Sequence, residues 1–104
     1  MARVAFKMQL IKGFEEEYRK RHDALPSDLK QLLKETGIRD YGIFLDESNG
    51  ALFALMEVAD ETKLASLPQH PVMQKWWKFM GDIMQTNSDS SPVSTPLKEV
   101  FYLP

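Results

Sequence analysis

Ile38-Arg39-Asp40-Tyr41-Gly42-Ile43-Phe44-Leu45 and Ala51-Leu52-Phe53-Ala54-Leu55-Met56-Glu57-Val58, joined through Ser48-Asn49-Gly50, are the stretch that decides the fold. Branched and aromatic side chains dominate both segments, as suits a pleated, half-buried surface. The Asn-Gly step between them is a strong tight-turn signal, because glycine takes a positive φ at no steric cost. Residues 38–46 and 51–58 therefore read as an antiparallel hairpin. Apolar side chains fall on both faces of these strands, so neither face is suited to water.

Working outward, residues 3–10 alternate cleanly. Val4, Phe6, Met8 and Leu10 share one side, and Arg3, Ala5, Lys7 and Gln9 the other, which is the period-2 pattern of a strand with one buried face. Lys12-Gly13 ends it. Residues 14–24 are rich in helix formers, acidic first and basic last, in the sense that suits the helix dipole. Phe14, Tyr18, His22 and Leu25 then fall on one helical face. Ser27 is placed to cap a second helix carrying Leu29, Leu32 and Leu33, and Gly37 to end it. After the hairpin, Asp60 caps a short helix expected to stop before Pro68. Pro71 opens a longer one with a broad apolar face that includes Val72, Met73, Trp76, Trp77 and Met80. Residues 86–97 read as a long polar loop, and Val100-Phe101-Tyr102-Leu103 as a last strand.

The resulting order, β-α-α-β-β-α-α-β, reduces to βαββαβ when paired helices are merged. That is the ferredoxin-like pattern, an α+β fold with an antiparallel sheet and its helices on one face. A chain of 104 residues suits one domain, residues 1–104. The apolar second face of the sheet needs a cover, and a second copy is the simplest one, giving a homodimer built as a dimeric α/β barrel.

Composition narrows the function classes. The formal charge is -2 with no basic stripe, so nucleic acid is not an expected partner. With no cysteine, disulfide scaffolds, thiol catalysis and thiolate metal sites are excluded. No apolar run approaches the ~18 residues of a membrane span, and the N-terminal residues lack the apolar core of a signal peptide. The expected location is cytoplasmic. The two histidines, His22 and His70, lack a suitably spaced third ligand, so no metal is expected. Phosphate-loop, dinucleotide and nucleophile-elbow motifs are missing.

The chemistry-bearing residues are few. Tyr18 and His22 stand one helical turn apart and can reach one ligand. A histidine titrates near neutrality and serves as general acid or base, and a phenol donates to or accepts from a hydroxyl. The same pair also fits a half-exposed imidazole that gains from the helix C-terminus. Trp76 and Trp77 point about 100° apart, so one can pack while the other lines a cavity. Indoles suit the C–H face of a pyranose, and equally suit a core or an interface. Tyr41 should share a strand face with Ile43 and Leu45. His70, before Pro71, reads as a loop or helix-start residue.

Glu17-Tyr18-Arg19-Lys20-Arg21-His22 resembles the E-Y-x-x-R-H stretch of L-rhamnose mutarotases, and Trp76-Trp77-Lys78-Phe79-Met80 resembles their W-W-K-[FY]-M stretch. Ser91-Pro92-Val93-Ser94, then Leu97 and Glu99-Val100-Phe101-Tyr102-Leu103-Pro104, resembles their C-terminal signature. The resemblance runs along essentially the whole chain. It implies a dimeric ferredoxin-like enzyme that interconverts the anomers of L-rhamnose without a cofactor. It places the proton donor on His22 and the sugar contacts on Tyr18, Tyr41, Trp76 and Trp77. An alternative on the same architecture is a haem-binding monooxygenase, with the imidazole as haem ligand. Another is a binding module in which the tryptophans serve only a dimer core.

Overall fold

The computed structural model describes residues 2–104; Met1 lies outside them. The strands are β1 (Ala2–Gln9), β2 (Ile38–Asp46), β3 (Ala51–Val58) and β4 (Thr95–Leu97); the helices are α1 (Glu15–Asp23), α2 (Ser27–Glu35) and α3 (Pro71–Met80). The sheet is four-stranded in the order β2-β3-β1-β4, and every neighbouring pair is antiparallel. An α+β, ferredoxin-like arrangement is thus what the alternation of the sequence builds.

Register explains why the helices choose one face. Val4 pairs with Met56, Phe6 with Ala54 and Met8 with Leu52, while Ile43 and Leu45 of β2 stand opposite Ala54 and Leu52. Because side chains alternate across a strand, these residues form one apolar face. Tyr18, Leu29, Trp76 and Met80 from the three helices pack on it, in one cluster with Met8, Leu52 and Ala54. Each aliphatic side chain so buried contributes roughly 2 kcal/mol. The opposite face carries Phe44, Phe53, Leu55 and Leu97, which stay 69%, 38%, 37% and 39% exposed.

The hairpin closes through Gly50, at φ 77, whose N–H donates to the Asp46 carbonyl over 2.8 Å. β2 carries a bulge between Arg39 and Gly42, and Asp40 sits there at φ 48. The odd spacing from Ile38 to Ile43 is absorbed at this point. Ile38 and Tyr41, which an unbroken strand would send to opposite faces, both line the helix side.

The structure corrects four local expectations. Val100–Leu103 is not a strand. The last strand is Thr95–Leu97, pairing with Lys7–Ala5 of β1. Beyond it the chain leaves the sheet, with Val100, Phe101 and Leu103 at 89%, 77% and 78% exposure. Arg3 holds this tail alongside β1, through a 2.7 Å bond to Glu99 and a guanidinium 4.2 Å from the Tyr102 ring centre. Ser27 does not cap α2; it is the first helical residue, after Pro26, and its side chain makes no capping bond. The segment after Asp60 is a run of 3₁₀ turns over Glu61–Gln69 that continues through Pro68. Short i→i+3 turns tolerate a missing N–H better than a continuous α-helix does. Residues 86–97 are more ordered than a loop. Thr86 bridges Pro92, Asn87 N–H donates to the Ser91 carbonyl over 2.7 Å, and β4 takes the end of the segment.

Asp60 and Pro71 behave as the sequence implies. The Asp60 carboxylate accepts from Thr62 N–H, and Pro71 opens α3 with His70 as its N-cap, the imidazole Nδ1 accepting from Val72 N–H over 3.2 Å.

A Cβ added at Gly50 would lie 2.9 Å from the Leu10 carbonyl oxygen and 2.7 Å from Gln9 Nε2, on a positive φ. Gly50→Ala is expected to destabilise the fold by about 2 kcal/mol, read as a lower urea midpoint at an unchanged slope.

Candidate active site

Helix α1 has little that favours burial. Its sequence, Glu15-Glu16-Glu17-Tyr18-Arg19-Lys20-Arg21-His22-Asp23, buries only Tyr18. Phe14, grouped with Tyr18 by spacing, lies just outside the helix and stays 38% exposed. Tyr18 is 9% exposed and joins the core between the helices and the sheet. One turn later the His22 ring stacks on it, with centroids 4.2 Å apart. The imidazole also meets Trp76 in a T-shaped pair, with centroids 5.2 Å apart and an interplanar angle of 88°.

The structure brings all five sequence-nominated residues to one place. Tyr18, His22, Tyr41, Trp76 and Trp77 line a single open cleft of about 1250 Å³ between the helices and the sheet. The tryptophans divide as their 100° offset requires. Trp76 is buried in the core at 9% exposure, and Trp77 is half-buried at the cleft wall. His70 is accounted for as the N-cap of α3.

Hydrogen bonding fixes the state of His22. Its Nδ1 lies 2.9 Å from the Tyr18 carbonyl oxygen. A carbonyl only accepts, so Nδ1 carries the hydrogen and donates it. In the neutral ring Nε2 is then a bare acceptor. Burial lowers the imidazole's pKa from 6.5, and the bond to the Tyr18 carbonyl and the charge of Asp23 oppose this only in part. Neutral His22 with Nε2 bare is therefore the form present at pH 7.

The phenols are held in the opposite sense. Burial raises Tyr18, with a smaller push from the nearby Tyr41. Burial likewise pushes Tyr41 up to about 12, although the residue as a whole keeps 38% of its surface. Its hydroxyl end is thus the sequestered part. Both phenols stay protonated at neutral pH, so each keeps a hydrogen to donate.

The long polar loop over residues 86–97, whose length in so small a domain hints at function or interface packing, carries no site residue nominated from sequence, yet Thr86, Asn87, Asp89, Ser90 and Ser91 also line the cleft wall. Asp89 accepts from both the Ser91 hydroxyl and its N–H, and Asn87 Nδ2 donates to Ser91 Oγ over 3.0 Å. The signal was the Asn-Ser-Asp-Ser-Ser run, whose short polar side chains bond to their own backbone. Composition reported a turn there, and it took the fold to put that turn beside the cleft.

Two phenols, two indoles and one imidazole with a single free nitrogen line one cleft of an α+β scaffold, with aromatic walls suited to a hydroxylated ring. The chain belongs to the L-rhamnose mutarotase family: the family model described as L-rhamnose mutarotase matches residues 3–103. The L-rhamnose mutarotase of Sinorhizobium fredii is 53% identical over 103 residues, covering 99% of each chain. The crystal structure of an L-rhamnose mutarotase from Formosa agariphila superposes with a TM-score of 0.93 at 49% identity, over 100% of both chains. A structure titled antibiotic biosynthesis monooxygenase, 12% identical with a TM-score of 0.63 over 96% of this chain and 99% of its own, shares the fold alone.

The His22 imidazole should titrate below 6.5 in an NMR pH series. A midpoint above 6.5 would contradict the burial that sets it.

Proposed function

We propose that the protein interconverts the α and β anomers of L-rhamnose by ring opening and reclosure, with His22 as the acid–base group. Family membership supports the choice of sugar. One geometric observation carries the chemistry: the Tyr18 carbonyl engages Nδ1 of His22 and leaves Nε2 for the substrate.

Anomers exchange through the open-chain aldehyde. On opening, the O1 hydroxyl loses its proton, the C1–O5 bond breaks, and O5 gains a proton. Rotation about C1–C2 presents the other carbonyl face, and closure reverses the proton movements. No electrons change hands, so the reaction as written calls for no redox cofactor and no metal. O1 and O5 share one carbon, so a single nitrogen can serve both. Neutral His22 takes the O1 proton on Nε2, and the imidazolium so formed protonates the ring oxygen. Phenols held in the protonated form are poor bases. This argues for Nε2, rather than Tyr18 or Tyr41, as acceptor of the O1 proton. The two tyrosines instead donate to sugar hydroxyls, while Trp77 stacks on the ring's C–H face and Trp76, packed in the core, meets the sugar only with the small part of its indole that lines the cleft. General acid–base catalysis of this kind contributes about 10²–10⁴-fold.

The chain is read as one ferredoxin-like domain acting as a cytoplasmic homodimer, with a sugar as its only small-molecule partner and no nucleic-acid or membrane partner. No helix among the described residues is long and apolar enough to cross a membrane. Support for the second copy comes from Phe44, Phe53, Leu55 and Leu97 on the open sheet face and from the apolar tail beside it. Face-to-face packing of two such sheets would cover both and build the dimeric barrel.

Saturation-transfer NMR should show faster anomer exchange of L-rhamnose with the purified protein. His22→Ala should remove at least about 10²-fold of that gain; near-full activity in the variant would take His22 out of the central role. The rate should fall on acidification with a midpoint below 6.5, because the neutral imidazole starts the cycle. A fall on the alkaline side instead would contradict the order of proton transfers. Sedimentation equilibrium should give twice the 12.0 kDa chain mass, shifting towards monomer in Phe53→Glu; a monomeric native chain at micromolar concentration would exclude the second copy.

A further inference from the structure

Tyr18 in the core and His22 against Trp76 tie α1 to the rest of the molecule, and so does Arg21, adjacent to His22 but outside the set that sequence nominated. The Arg21 side chain is 12% exposed, although the acids it meets, Glu17 and Asp82, are 41% and 65% exposed. Its Nε donates to Glu17 Oε2 over 2.8 Å. Its Nη1 donates to Asp82 Oδ1 over 2.8 Å and to the Phe79 carbonyl over 2.9 Å, and its Nη2 donates to Asp82 Oδ2 over 3.2 Å. The guanidinium also lies 4.4 Å from the centre of the Phe79 ring.

These contacts reach the C-terminal end of α3, the helix that carries Trp76 and Trp77. Phe79 is in the last turn of α3, so its carbonyl lacks an intrahelical partner, and the Arg21 N–H supplies one. Phe79 is in turn 5.8 Å from Trp76, and Trp76 meets His22 edge-on at 5.2 Å. Arg21, Phe79, Trp76 and His22 therefore form a closed circuit between two helices, completed by the peptide bond from Arg21 to His22.

We propose that Arg21 is a positioning residue for the acid–base reaction: its fork on Asp82 and Phe79 sets the rotation of α1 and so aims the His22 imidazole into the cleft against Trp76. This assignment takes the acid–base role of His22 proposed above as its premise. A nine-residue helix is shorter than the ~12–15 residues that persist alone in water, so its orientation comes from its anchors. Tyr18 alone leaves α1 free to rock about one point. Consecutive residues point about 100° apart, so fixing Arg21 fixes the direction of His22. A lysine keeps the charge but has neither the planar fork nor the stacking face.

Arg21→Lys is the direct test, read in two ways. In anomer exchange of L-rhamnose, kcat should fall roughly 10- to 100-fold, the scale of a small misplacement of a catalytic group. KM should change by a smaller factor than kcat: Tyr18 rides on α1 and the tryptophans on α3, but Tyr41, on β2, stays in place. Independently of activity, the His22 imidazole signal should lose the ring-current shift from Trp76, and its titration midpoint should rise towards 6.5 as α1 loosens. Wild-type kcat with an unmoved His22 signal would overturn the proposal while leaving the mutarotase reading intact. If the native protein does not accelerate exchange, the mutarotase reading fails, and the His22 signal still decides whether Arg21 aims the ring. Should Arg21→Lys fail to fold, Asp82→Asn keeps the Phe79 contacts and should move the His22 signal and kcat the same way by a smaller amount. No movement in either would overturn the proposal.

Discussion

β1 and β3 lie at the centre of the sheet, and their register decides which side chains meet the helices. With Val4 opposite Met56, Phe6 opposite Ala54 and Met8 opposite Leu52, every apolar alternate of β1 lands on the helix face, Phe6 and Met8 with Leu29, Trp76 and Met80, and Val4 with Leu33, Leu64 and Leu67. A slip of one residue would send Arg3, Ala5, Lys7 and Gln9 under the helices instead, and the core would be lost. The bulge at Asp40–Tyr41 completes the arrangement by letting β2 offer both Ile38 and Tyr41 to the same side.

The site follows from that core. α1 and α3 rest on one sheet face, so Tyr18 and Trp76, each buried for packing reasons, meet around His22. The same burial that stabilises the fold removes water from the imidazole and the phenols. It lowers the first and raises the second pair, which leaves a bare acceptor nitrogen beside two protonated phenols. The acid–base poise that the proposed reaction needs is then a by-product of packing an amphipathic sheet against aromatic helices, refined by one backbone hydrogen bond at Nδ1.

Much of this was legible in the sequence, for identifiable reasons. Strict alternation over residues 3–10 and the Asn-Gly turn gave the central strands, because period 2 and positive φ leave direct marks on residue choice. The four-residue step from Tyr18 to His22 placed both in one cleft, and the offset of Trp76 and Trp77 anticipated one packed and one lining indole. Where reading failed, tertiary context decided. Val100–Leu103 has strand composition, but Glu99 and Tyr102 are engaged by Arg3 and the segment leaves the sheet with Val100, Phe101 and Leu103 exposed. The 3₁₀ run through Pro68 and the folded turn at Asn87–Ser91 depend on local hydrogen bonds that propensity does not rank. Arg21 looked like one more basic residue near a helix C-terminus, since its partners lie 58 and 61 positions away.

In the proposed cycle one nitrogen of His22 carries the proton traffic while the other is held by the backbone. Long-range ¹⁵N–¹H correlation of the neutral imidazole measures this directly. The account predicts the hydrogen on Nδ1 and a bare Nε2 above the titration midpoint. A neutral ring with its hydrogen on Nε2 would contradict it, because the nitrogen offered to the sugar would then have no lone pair to take the O1 proton.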